Sequence, residues 1–131
     1  MANITIDGTD YELDNLSDHA RAQLSSLQVA DQEIGLLNAR LAMTQTARNA
    51  YGKGLEAALP ASVDAKESDE GVVLINERPY RIADFSDKAK AELASLQLTD
   101  QKLTQLQSEV AIIKTARNAY AVALKGALDS E

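Results

Sequence analysis

The chain has 131 residues, a net charge of −7, 45% hydrophobic residues and no cysteine. The absence of cysteine excludes disulfides, thiolate metal sites and cysteine nucleophiles, and the acidic charge disfavours general binding to nucleic acid phosphates. Because no apolar stretch approaches the roughly 18–20 residues that span a bilayer, and because the N-terminus does not resemble a signal peptide, we expect a soluble cytoplasmic protein without a membrane partner.

One sequence unit occurs twice in the chain. With an offset of 69 residues, positions 4–59 align without a gap on positions 73–128, and 23 of the 56 aligned pairs are identical. A repeat of this kind indicates the unit of folding. We therefore predict a first hairpin-plus-helix repeat over 1–60, an acidic linker over 61–72 and a second hairpin-plus-helix repeat over 73–131.

Each repeat is predicted to open with a β-hairpin. In the first repeat, Asp7-Gly8 is a strong signal for a two-residue turn, which would pair Ile6 with Thr9. In the second repeat, Asn76-Glu77 is a poorer candidate for a type I′ turn, so a longer loop through Pro79 is the alternative. Both hairpins have one apolar face, which must be covered because an isolated hairpin is barely stable in water.

A long helix is predicted after each hairpin, with N-caps at Ser17-Asp18 and Ser86-Asp87. The alternative is a helix that breaks near Gln28–Asp31 and Gln97–Asp100. An unbroken helix of about 42 residues is about 63 Å long, whereas the linker reaches only about 40 Å. If the helices are unbroken, the two copies should therefore run antiparallel.

Apolar residues recur along both helices at a spacing of three and then four, which is the pattern of a helix-packing seam. The seams run over 27–58 and 96–127. A second stripe, of small residues, predicts the close approach of another helix. This stripe comprises Ala39, Ala42, Ala47, Ala50, Ser108, Ala111, Ala116 and Ala119.

The predicted fold class is therefore α+β and predominantly α. Each repeat forms a β-hairpin followed by a long helix, and the two repeats pack as an antiparallel helical bundle. Because each copy alone has little against which to bury its seam, homo-oligomerisation is also expected.

The hexapeptide TARNAY, at 46–51 and 115–120, places Arg48 and Arg117 on the seam. A charge in such a position is costly unless it is paired. The structural hypothesis is that Asp31 and Asp100 are the partners. A single antiparallel register brings Asp31 to Arg117 and Asp100 to Arg48.

The same hexapeptide also suggests a ligand site. A guanidinium offers a planar fork for phosphate or carboxylate, Asn can read an amide or base edge, Tyr can stack on a ring and Thr can bond an oxygen. The candidate ligand-binding residues are Thr46, Arg48, Asn49, Tyr51, Thr115, Arg117, Asn118 and Tyr120. The functional hypothesis is a non-enzymatic oligomeric protein that binds a small anionic, nucleotide-like ligand. The alternative is a structural or protein-interaction module in which these residues only fix helix packing.

No constellation in the sequence points to catalysis, to a cofactor or to a metal. The single histidine, His19, is replaced by Lys88 in the second repeat, and Gly52–Gly54 lacks the spacing of a phosphate-binding loop. No carboxylate pair, nucleophile–base pair or metal-ligand cluster is recognisable. We therefore expect neither enzymatic activity nor a cofactor.

The unit that runs from ITIDGTDYELDNLSDHARAQLSSLQ to TARNAYGKGLEAALP resembles a family of small uncharacterised proteins from bacteria and phages. The resemblance covers nearly the whole chain, twice, and the second repeat departs from the pattern at Asn76–Pro79 and at Phe85. It implies the same fold and no particular activity. A phage association makes the sequestration of a nucleotide signal of bacterial immunity a hypothesis for the function.

Overall fold

The computed structural model describes residues 3–6 and 8–129. In chain order the elements are β1 (Asn3–Ile6), β2 (Thr9–Glu12), a 3-10 turn (Leu13–Asn15), α1 (Asp18–Ala58), β3 (Val72–Ile75), β4 (Arg78–Arg81), a second 3-10 turn (Ile82–Asp84) and α2 (Asp87–Asp129). The predicted fold class, α+β and predominantly α with a hairpin before each long helix, is confirmed.

Both helices are continuous, with 41 residues in α1 and 43 in α2. The alternative of a break in the first third of each helix is therefore wrong. Each helix follows a serine whose Oγ accepts a hydrogen bond from a first-turn amide: Ala20 N donates to Ser17 Oγ and Ala89 N to Ser86 Oγ, both at 3.1 Å. These N-caps satisfy amide donors that the helix itself leaves without a partner.

The first hairpin has the predicted register, with Ile6 paired to Thr9. Gly8 has a positive φ of 84°, while Asp7, the other residue of the predicted turn, lies outside the described residues. Ile4 and Ile6 are half-buried and their polar neighbours in β1 are exposed, so the predicted apolar face is the covered one.

The second hairpin also has a two-residue connection, since Ile75 pairs with Arg78. Asn76 and Glu77 have φ values of +53° and +67°. Two successive positive φ angles are typical of a type I′ turn. The longer loop through Pro79 that the sequence left open is therefore not formed.

The chain divides into two compact units that cross the boundaries of the sequence repeats. Unit 1 combines Met1–Arg40 with Leu106–Glu131, and unit 2 comprises Leu41–Gln105. Each unit contains one hairpin, the N-terminal part of the helix that follows it and the C-terminal part of the other helix. The predicted ranges 1–60, 61–72 and 73–131 thus describe the duplication of the sequence, not the compact units.

In unit 1 the segments of α1 and α2 run antiparallel. Leu24 shares a buried cluster with Leu124, and further along α1 Asp31 contacts Arg117, which comes earlier in α2. Ile4 and Ile6 of β1 pack against this cluster. Its buried side chains are those of Leu16, Ala20, Leu24, Leu27, Ala121 and Leu124.

Unit 2 repeats this arrangement with the roles of the helices exchanged. Leu55 of α1 packs with Leu93 of α2, and Arg48 contacts Asp100. Tyr80 adds an edge-to-face contact with Phe85, with a distance of 6.4 Å between the ring centroids. The buried side chains of the unit 2 core are those of Leu55, Tyr80, Phe85, Ala89 and Leu93.

The predicted seam is confirmed. The residues that recur at a spacing of three and four over 27–58 and 96–127 are all buried or half-buried. The predicted stripe of small residues behaves differently. Only Ala47 and Ala116 in this stripe are half-buried, and its other members are exposed. Among the described residues, therefore, no helix covers that stripe.

Candidate functional site

In unit 2, Arg48 of α1 meets Asp100 of α2. The Nε of Arg48 donates a hydrogen bond to Oδ1 of Asp100 at 2.5 Å, and the two side chains are 39% and 49% exposed. Within the described residues, the two terminal guanidinium nitrogens of Arg48 form no hydrogen bond. The aspartate therefore holds one side of the guanidinium and leaves the other side to solvent.

Unit 1 contains the equivalent pair. The Nε of Arg117 donates to Oδ1 of Asp31 at 3.0 Å, with side-chain exposures of 32% and 52%. These are the two pairs that the antiparallel register predicts. Both lie at the edge of the seam in contact with water, and not in its buried interior, so the cost of burying a charge is small here.

A groove of about 550 Å³ lies beside the ion pair of unit 2. Three elements form its walls: β3, the N-terminal part of α2 and the C-terminal part of α1. From β3 and α2 come Val73, Leu74, Ile75, Leu93, Leu96, Gln97 and Asp100. From α1 come Arg48, Asn49, Gly52, Lys53, Leu55 and Glu56. The groove thus combines apolar and charged lining residues; we call it the unit 2 groove.

An equivalent groove of about 300 Å³ lies in unit 1, and we call it the unit 1 groove. Its lining residues are Ile4, Thr5, Ile6, Leu24, Leu27, Gln28, Asp31 and Arg117. Each of these eight residues has its counterpart, 69 positions away, in the lining of the unit 2 groove. The duplication has therefore preserved the groove together with the fold.

The two grooves differ in their further lining residues. Lys53 and Asn76 line the unit 2 groove, whereas Val122 stands in the position that corresponds to Lys53. The counterpart of Asn76 is Asp7, which lies outside the described residues. Lys53 gives the unit 2 groove a second cation, with Glu56 as an additional acid.

The structure separates the residues of the hexapeptide. Asn49 lines the unit 2 groove, and its Oδ1 accepts a hydrogen bond from Gln45 Nε2 at 2.9 Å. The hydroxyls of Thr46 and Thr115 donate to backbone carbonyls of their own helices, each at 3.0 Å. Because these hydroxyls are bonded within the helix, both threonines have a local structural role.

The tyrosines do not face the arginines across the grooves. Tyr120 packs against the core of unit 1 and lines a different groove, which contains Val29 and Ile113. Tyr51 is half-buried and is not part of the unit 2 groove lining, and Asn118 is exposed and is not part of the unit 1 groove lining. Of the hexapeptide, only the arginine contributes to both equivalent grooves.

Sequence reasoning missed the glutamines Gln28 and Gln97 and the hairpin strands as components of the site. The available signal was the segment SLQ, which is identical in both repeats at 26–28 and 95–97. A strand that lines a groove with its consecutive residues, as β3 does with 73–75, leaves no periodic pattern in the sequence.

Over residues 3–6 and 8–129, no group of three or more His, Cys, Asp or Glu side chains is placed to hold a metal ion. Over the same residues, neither helix contains the long apolar stretch that crossing a membrane requires.

Comparison with known proteins finds no matching family model, no matching curated protein and no matching solved structure. The duplicated grooves are therefore the feature from which a function can be inferred.

Proposed function

We propose that the protein is a non-enzymatic binding protein in which each groove holds one small anionic ligand, with nucleotide-like molecules as the first class to test. One observation carries this proposal: eight equivalent residues line each of the two grooves. Each set includes an arginine whose terminal nitrogens form no hydrogen bond to a described protein group.

The arginine supplies the anion-binding group. Asp100 and Asp31 orient the guanidinium through Nε, so its terminal N–H groups are left to donate to a phosphate or a carboxylate. Charge-assisted hydrogen bonds of this kind are about twice as strong as neutral ones. An orientation fixed before binding also lowers the entropic cost of association.

The apolar wall indicates the other part of the ligand. In the unit 2 groove, Val73, Leu93 and Leu96 would contact the uncharged body of a molecule whose anionic end lies at Arg48. Lys53 would add a second positive charge to the same site. The nearby acids Asp100 and Glu56, with the net charge of −7, favour a small anion over a polyanion.

Binding without turnover would sequester the ligand. In combination with the resemblance to small phage and bacterial proteins, this makes the trapping of a nucleotide signal of bacterial immunity the specific role that we propose. Two sites in one chain would increase the trapping capacity of each molecule.

A second candidate is a purely structural role for the two arginines. It is favoured by the Nε–Oδ1 hydrogen bonds of 2.5 and 3.0 Å, which join α1 to α2 in each unit. In that case, Arg48 and Arg117 fix the register of the helices and bind nothing further.

Thermal unfolding separates the two candidates. Tm is measured with a panel of cyclic and linear nucleotides and of carboxylates that carry an apolar body. A ligand present at about 100 times its Kd adds about 2.7 kcal/mol to the free energy of unfolding, which raises Tm by several degrees. An unchanged Tm with every member of the panel would refute the ligand proposal and leave the structural role.

Calorimetric titration of a ligand found in this way tests the sites themselves. We expect two sites per wild-type chain, one after Arg48→Gln and none after Arg48→Gln combined with Arg117→Gln. Arg81→Gln is the matched control, because Arg81 is exposed and lines neither of the two grooves. Binding that survives the double substitution would show that the ligand lies elsewhere.

A further inference from the structure

We propose that one face of unit 1 is a self-association surface, and that its occupant is the same face of a second copy of the chain. This inference is independent of the proposed ligand grooves. Three large apolar side chains stand exposed on this face: Val29 at 61%, Leu36 at 57% and Ile112 at 66%.

Two shallow grooves lie between α1 and α2 on this face, and their lining combines apolar side chains with the charged Glu33, Arg40 and Glu109. One groove, of about 450 Å³, includes Val29, and the other, of about 300 Å³, includes Ile112. Glu33 and Ile113 line both grooves, so the two form a continuous surface, and no hairpin residue contributes to either. An extended apolar surface with charged residues around it is typical of a protein–protein interface.

The two charges that α1 contributes to this face are complementary to the same two charges of a second copy. Glu33 and Arg40 are seven residues apart on α1, about two helical turns, so they lie on the same side of the helix. Neither has an ion-pair partner in the described part of the chain. A twofold axis that crosses α1 between Leu36 and Leu37 would bring Glu33 of each copy to Arg40 of the other.

Such an arrangement is self-complementary in the way that twofold interfaces require, because residue i meets residue j and residue j meets residue i. The apolar side chain of Leu36 would lie close to the axis, and one reciprocal ion pair would lie on either side of it. Charged pairs that flank an apolar seam commonly set the partner and the orientation of helices.

Sedimentation velocity of the full chain over a wide range of concentrations tests this surface. We expect a monomer–dimer equilibrium. Arg40→Glu alone and Glu33→Arg alone should each raise the dimer dissociation constant by about tenfold or more, because each creates two like-charge contacts across the axis. The double substitution Glu33→Arg with Arg40→Glu should restore the wild-type constant, because it re-forms both pairs with reversed sign.

Val122→Ser is the matched control, since Val122 is 73% exposed in the same unit and lines neither groove of this face. It should leave the dissociation constant unchanged, and thermal unfolding should confirm that every variant is folded. A chain that stays monomeric at all concentrations would overturn the proposal. A dimer that is insensitive to the single reversals, or that the double reversal does not restore, would overturn it as well.

Discussion

At the scale of single residues, Arg48 and Arg117 show what a heptad pattern can and cannot predict. The pattern predicted their position on the seam and their partners Asp100 and Asp31, and both ion pairs are present. It did not predict that about a third of each arginine side chain stays exposed. Heptad spacing specifies the direction of a side chain from the helix axis, whereas a long flexible stem carries the charged group out to water.

A double-mutant cycle measures the strength of these pairs. For Arg48→Ala and Asp100→Ala we expect a coupling of about 0.5–1 kcal/mol in the free energy of unfolding, because the pair is partly exposed and water screens it. Urea denaturation of the four proteins gives the coupling, and raising the salt to about 1 M should reduce it further. A coupling of about 3 kcal/mol or more would instead indicate a buried pair.

At the scale of elements, the second hairpin forms a turn that its own residues favour only weakly. Glu77 lacks the left-handed preference of Gly or Asn, yet its φ is +67°. The register explains this, since Val73 pairs with Tyr80 and Tyr80 is only 6% exposed. A connection longer by one residue would turn Tyr80 away from the core, so burial overrides the local preference.

Glu77→Gly should therefore stabilise the protein. Relief of the left-handed backbone, less the entropy that glycine gains in the unfolded chain, leaves about 0.5–1 kcal/mol. Thermal unfolding should show a Tm higher by a few degrees. Glu77→Ala is the control and should give little or no gain, because alanine has the same backbone penalty; an equal gain from both variants would contradict the explanation.

The helices continue where the sequence allowed a break, and Thr99 and Asp100 show why. The hydroxyl of Thr99 donates to the carbonyl of Leu96 at 2.8 Å, and the carboxylate of Asp100 accepts from Arg48. Both side chains are thus engaged in contacts that are compatible with a continuous helix, and neither is left to cap a new one. In α2, a local hydrogen bond of Thr99 and a tertiary ion pair of Asp100 thus accompany the continuous helix.

At the scale of the whole molecule, each compact unit is assembled from both sequence repeats. The sequence predicted the antiparallel packing, because seam spacing, helix length and linker length all constrain it. It could not predict the grooves. Their walls come from a hairpin and from two helices that belong to different repeats, so no local segment contains the pattern.

Cleavage of the linker tests this assembly. If a protease site is inserted between Pro60 and Gly71 and then cut, the two fragments should co-elute in gel filtration and separate only in denaturant, because each unit needs residues from both. The Tm of the cut protein should fall on dilution, whereas that of the uncut protein should not, since cutting removes the effective concentration that the linker provides. Separation of the fragments in native buffer would contradict this prediction.

Because the linker joins the two repeats in one chain, the two grooves can have different lining residues. Two identical chains must have identical grooves, whereas in a tandem chain the lining of one groove can change while that of the other is kept. Lys53 and Glu56 line the unit 2 groove, whereas the lining of the unit 1 groove has no charged residues besides Asp31 and Arg117. One tandem chain therefore holds two grooves of the same plan with different numbers of charged residues, which two copies of an identical chain could not provide.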